Sequence, residues 1–155
     1  MSKTAKIWLA LLVAASVLGC SMGDTLAAVE VLNHGNCQTL ESGISLVSYA
    51  DIAKIRGSKL IDMTVLEQPP NEPDLLLLAI SNGEQPTPGY QFSLADAYLN
   101  RETAVIEIFW TEPEADAVLP QVMTHPCLVV GMETGSYRRV QVIDHTGKPI
   151  GELSL

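Results

Sequence analysis

The stretch Leu75-Leu76-Leu77-Leu78-Ala79-Ile80-Ser81-Asn82-Gly83-Glu84-Gln85-Pro86-Thr87-Pro88-Gly89-Tyr90 decides how the rest of the chain is read. Its first seven residues form a nearly continuous apolar run, short enough for a strand buried on both faces. The remainder has the chemistry of a stiff loop. Pro86 and Pro88 fix φ and push Gln85 and Thr87 toward extended geometry. Gly83 and Gly89 can take positive φ, so the chain can turn sharply at both ends. A strand pattern resumes over residues 90–97. The plain reading is a hairpin connection with favourable turn residues. The functional reading is a pre-ordered loop that loses little entropy when it meets a partner.

Outward from this stretch the signals remain β. Thr103–Thr111 alternates, with Ala104, Ile106, Ile108 and Trp110 on one face and Val105, Glu107, Phe109 and Thr111 on the other. Residues 127–132 form a further strand, and 138–144 pairs with 149–153 across the turn at 145–148. Upstream, residues 28–32, 44–47 and 60–67 read as strands, and 68–74 is a proline-rich loop. Ser48 with Asp51 three residues on predicts a helix N-terminus; Ile52 and Ile55 supply its apolar face and Gly57 its stop, giving one helix over 49–56. Residues 112–120 form an acidic connection. About seven short strands with one short helix predict a mainly β (α+β) fold, a small antiparallel β-sandwich or partly open barrel.

The N-terminus reads as a leader. Lys3 and Lys6 precede an apolar run of twelve residues, 7–18, whereas roughly 20 are needed to span a bilayer as a helix. The run ends in Val17-Leu18-Gly19-Cys20, which resembles a bacterial lipobox. That resemblance implies a signal peptide over 1–19, cleavage before Cys20 and lipidation of its thiol. Ser21 in the next position is similar to the pattern sorted to the outer membrane. Several acyl chains would anchor the protein stably, facing the periplasm or the cell surface. Residues 20–27 are then a lipidated tether and 28–155 a single β-rich domain of about 130 residues. With Cys20 assigned to the lipid, Cys37 and Cys127 remain as an even pair in an oxidising compartment, and a disulfide between them is expected; two buried thiols are the alternative.

Without the two leader lysines the chain keeps seven basic residues against eighteen acidic ones, a net charge of −11. That balance disfavours nucleic acid and direct adsorption to an anionic membrane. Catalytic patterns are missing from the sequence. His34, His125 and His145 are scattered without ligand spacing, and read as solvent-exposed turn histidines. Ser45, Ser48 and Ser136 lack a nucleophile-elbow context. Glu112, Glu114 and Asp116 have no calcium-loop spacing and read as a solvated acidic loop. Tyr90, Tyr98 and Trp110 fit a core better than a ligand pocket. The expectation is a non-enzyme without cofactor or metal.

The order of features also resembles a known family. Gly83-x-x-Pro86-Thr87-x-Gly89-Tyr90, two following strands, a linker and Thr124-His125-Pro126-Cys127-Leu128-Val129-Val130 is similar to the PrcB family of protease-complex subunits, over about 75–132. Cys127 stands where an aromatic residue is common in that family. The resemblance implies an accessory, non-catalytic lipoprotein whose partner is a protein, a protease among the candidates. Gly83, Pro86, Thr87, Gly89 and Tyr90 are then the protein-binding loop. Their structural use, with Tyr90 plugging the core and Gly89 allowing the turn, is the rival. The same loop is similar to the N-P-T-T-G-Y loop of chagasin-like cysteine-protease inhibitors, which implies inhibition as the alternative function. Here Gln85 replaces Asn and Pro88 replaces Thr, and the two other inhibitory segments have no counterpart.

Overall fold

In the computed structural model, residues 24–55 and 74–155 are described. Their elements are β1 (Asp24–Thr25), β2 (Ala28–His34), β3 (Gly43–Val47), α1 (Tyr49–Ile55), β4 (Leu75–Ser81), β5 (Gln91–Asn100), β6 (Thr103–Thr111), β7 (Cys127–Glu133), β8 (Arg139–Asp144) and β9 (Pro149–Ser154). The leader over 1–19, Cys20 and the strand expected over 60–67 lie outside the described residues. So do Arg56, Gly57 and all of the expected proline-rich loop except Asp74.

The strands form two sheets, ordered β1-β5-β6-β8-β9 and β2-β7-β4-β3. They face each other as a sandwich, and no barrel closes. Leu78, Ile80, Leu128, Val130 and Met132 from the four-stranded sheet meet Ile106, Ile108, Val140 and Val142 from the other. Alternate residues of the central strands β4 and β7, among them Leu77, Ala79 and Val129, point to the opposite face, where Ile52 and Ile55 of α1 cover them. This double coverage is why β4 is apolar throughout rather than alternating. On β6 the alternation holds on the inner face, but Val105 on the outer face is also buried, between Tyr98 and Gln141 of its neighbours.

The helix begins as its sequence predicts. Ser48 N and Oγ donate to Asp51 Oδ2 at 3.0 and 2.7 Å, and Asp51 N donates back to Ser48 Oγ at 3.3 Å. The expected tether is corrected in part: Asp24 and Thr25 pair with Leu99 and Tyr98, and Leu26 N donates to Ala97 O at 3.2 Å. Two residues carry no alternation to betray such a strand. The described residues contain nine strands.

Two crossings between the sheets position the site. The chain leaves β4 in one sheet and enters β5 in the other through residues 82–90, then returns from β6 to β7 through 112–126. The expected hairpin at 82–90 is therefore corrected to an inter-sheet crossing. Because β4 neighbours β7 and β5 neighbours β6, the two crossings lie side by side at one end of the sandwich. The excursion through β7 is also why β8 returns parallel to β6, the one parallel pair among the described strands.

Candidate functional site

Residues 82–90 are held in place by backbone bonds to the second crossing. Gln85 N donates to Thr124 O at 2.7 Å and Thr124 N to Gln85 O at 2.9 Å, a one-pair antiparallel bridge. Thr124 Oγ1 donates to Thr87 O at 3.0 Å, and Gln85 Nε2 to Asn82 O at 3.0 Å. The next residue along, His125, bonds to a third segment: Cys37 N donates to its carbonyl at 2.7 Å and its N–H to Gly35 O at 3.0 Å. Two residues further, Cys127 forms a disulfide with Cys37, with Cα atoms 5.9 Å apart. Both cysteines are fully buried, so the pairing expected from the cysteine count is present and lies directly behind the loop.

The glycines follow from this geometry. Gly89 has φ +105°, and a Cβ there would sit 2.9 Å from Pro113 Cβ. Conformation and space both require glycine. Gly83 has φ +70° and more room, its nearest neighbour being Ser42 Cβ at 3.3 Å from an added Cβ. Tyr90 is half-buried, its ring stacked on Trp110 with centroids 5.5 Å apart, and Trp110 in turn packs on Phe92 at 4.6 Å. Tyr90 has two structural positions at once. It caps the core through Trp110 and forms the shared wall of two surface grooves, one beside Asn33 and His34 and one beside Pro113 and Val118. Pro86 is exposed, while Thr87 is half-buried with its carbonyl engaged.

The two crossings are negatively charged. Glu84, Glu112, Glu114 and Asp116 belong to the two crossings, which contain no Lys or Arg. Glu112 Oε1 accepts from Trp110 Nε1 at 3.2 Å, and Glu84 Oε2 lies 3.4 Å from His125 Nε2. His125 corrects the expectation of an exposed turn histidine: it is half-buried, and its Nδ1 is buried without a hydrogen-bond partner. Among the described residues no three His, Cys, Asp or Glu side chains group as a metal site.

Sequence reasoning missed the second wall. Residues 112–120 read as a solvated acidic loop, yet Pro113 and Leu119 are partly buried against the first crossing. The signal was available in Val118-Leu119-Pro120-Gln121-Val122-Met123, an apolar stretch outside any strand.

A two-sheet sandwich with a helix on one outer face, and a braced loop pair at one end, defines a β-rich module with a rigid corner. Residues 76–133 match the family model described as PrcB C-terminal, and this supports the chain's membership of the PrcB family. The match runs from the second residue of β4 to the last of β7, so it takes in both crossings and the four strands they join. No curated protein matches the chain, and no solved structure does.

Proposed function

We propose that this protein is a non-catalytic lipoprotein of a bacterial cell envelope, anchored in the outer membrane through Cys20, that binds another protein as an accessory subunit of a protease complex. The observation that carries the binding role is the bracing of residues 82–90. Three backbone-directed bonds to Thr124 hold the loop, and Pro86 remains exposed at its tip. A loop already ordered before contact gives up little conformational entropy on binding. The lipobox at Val17–Cys20 supports the anchor, and the family match supports the association with a protease complex.

The test is photo-crosslinking in cells from a crosslinking side chain placed at Pro86. A single stoichiometric partner is expected, lost when Thr87 and Tyr90 are both replaced by alanine. The absence of a stoichiometric partner, or unchanged capture by that double variant, removes the reading. Cys20→Ser is expected to release the protein from membranes or leave it unprocessed. The purified protein is expected to show no turnover in a broad hydrolase screen.

The position of the loop at one end of a two-sheet fold favours a second reading, a chagasin-like inhibitor acting through Pro86–Tyr90. A titration against papain-like proteases decides it, and the absence of inhibition at micromolar concentration removes it.

A further inference from the structure

We propose that the groove between the two crossings receives a basic, extended segment of the partner, seating an apolar side chain of that segment between Tyr90 and Val118. The proposal rests on the protein-binding reading above and adds the chemistry of what is bound.

The first observation is shape and polarity. The groove has a volume of about 470 Å³ and is walled by Pro86, Thr87 and Tyr90 on one side and Pro113, Val118 and Leu119 on the other. That suits a few side chains of an extended segment rather than a folded surface. Val118 is wholly exposed, and Val122 and Met123 are each about half exposed a few residues further on. Exposed apolar residues scattered singly mean little, but Val118 lines the groove itself, and Val122 and Met123 follow within five positions of it along the chain. The walls are also preformed, because the Gln85–Thr124 bridge and the Thr124–Thr87 bond tie one to the other.

The second observation is charge. Between residues 74 and 137 the sequence has one Lys or Arg, Arg101, in the β5–β6 turn at the opposite end of the sandwich. Arg138 and Arg139 are at that far end too, since Arg139 pairs with Thr103, while Lys148 is at the near end in the β8–β9 turn but does not line the groove. Glu114 lines the groove and Asp116 sits in the same turn, closed by Ala117 N donating to Glu114 O at 3.0 Å. Neither carboxylate has an ion-pair partner among the described residues. A groove with apolar residues in both walls and unneutralised carboxylates on its rim favours a segment that combines an apolar anchor with Lys or Arg on either side. Acidic segments and anionic lipid headgroups would be repelled.

The probe is a phage-displayed library of random linear peptides, panned against the full-length protein with its disulfide intact. The expected result is enrichment of peptides with an apolar residue flanked by Lys or Arg. Their binding should weaken with added salt and fall about tenfold on Glu114→Lys with Asp116→Lys, the size expected for losing and reversing one or two partly screened charge pairs. Val118→Ser should weaken binding without changing the salt dependence. These positions are exposed, so equal melting temperatures will show that the variants remain folded. No enrichment above background, a consensus without basic residues, or binding unchanged in the charge-reversed variant overturns the proposal. So does a concentration-dependent dimer that the charge reversal dissolves, because the groove would then take a second copy of this chain. The crosslinking test separates the two claims. Capture lost with Thr87 and Tyr90 but kept in the charge-reversed variant leaves the binding loop standing and removes the basic segment; capture kept in both removes both.

Discussion

At one end of the sandwich the chain passes from β5 to β6 through two residues, Arg101 and Glu102; at the other it uses nine between β4 and β5 and fifteen between β6 and β7. The short end combines a tight turn with bonds to the segment that leads into β8. Arg101 sits at φ 57° in the turn, Glu102 O accepts from Arg138 N and Arg139 N at 2.9 and 3.3 Å, and the buried Tyr137 donates its hydroxyl to Glu133 O at 2.8 Å. Burial, with the nearby Glu133 charge, raises that phenol's pKa above its ordinary value of 10.0. The long end is held by contacts far apart in sequence: the Gln85–Thr124 bridge, the bonds from His125 to the 35–37 segment, and a disulfide spanning 90 residues. A two-residue turn reverses a strand within one sheet, and a crossing to a sheet about 10 Å away needs only a few residues more, so most of the fifteen between β6 and β7 are not a requirement of the sheets. Ordering them costs about 1–2 kcal/mol of backbone entropy per residue. Ordered length beyond what the fold needs, concentrated at one acidic end, is the structural argument for a site there.

The largest effect that can break this comparison comes from the disulfide. Replacing Cys37 and Cys127 together by serine is expected to lower stability by about 3–4 kcal/mol in urea unfolding, as for a loop of this span. Amide exchange should accelerate more at Gln85, Thr124 and His125 than at Arg138 and Arg139. Equal loss of protection at both ends would mean that the bridge does not serve the long end in particular. Next is Gly89→Ala, expected to cost about 2 kcal/mol through positive φ and the approach to Pro113. Gly147 also has positive φ but open space around it, so Gly147→Ala should cost about half as much. Equal losses in thermal melts would mean that Pro113 does not constrain the loop. Thr124→Val removes the hydroxyl bond to Thr87 and should cost about 1 kcal/mol while freeing the 87 carbonyl.

The smallest effect falls at the opposite end, at the cap of α1. Hydrogen bonds from the Ser48 hydroxyl, Lys54 and the Ser48 amide hold the Asp51 carboxylate well below its ordinary value of 3.8. A depressed folded pKa means that the stabilisation is complete above the ordinary value and disappears as pH falls through the lower, folded one. Melting curves of the protein and of Asp51→Asn should therefore differ at neutral pH and converge in strong acid. Curves that stay apart in strong acid would show that the variant loses something other than the charged cap.

Local chemistry was legible wherever a residue acts on its neighbours in sequence. Ser48 and Asp51 announced the helix because a cap is a contact three residues long. Pro86, Pro88 and Gly89 announced a stiff turn because φ is a property of each residue alone. Cys37 and Cys127 were paired by counting. The second wall at Pro113 and Val118–Leu119 went unread because its importance comes from lying beside residues nearly thirty positions away. His125 went unread for the same reason: its backbone bonds to the 35–37 segment and its ring lies beside Glu84, both far from it in sequence.

Strand content, the helix, the turns and the loop's stiffness were thus determined by the amino-acid sequence itself, through backbone preference and apolar periodicity acting over a few residues. Which sheet each strand joins was decided only in three dimensions, and with it the fact that residues 82–90 cross between sheets beside 112–126. Strand pairing depends on covering β4 and β7 on both faces at once, a condition on the whole packed body that no single segment carries.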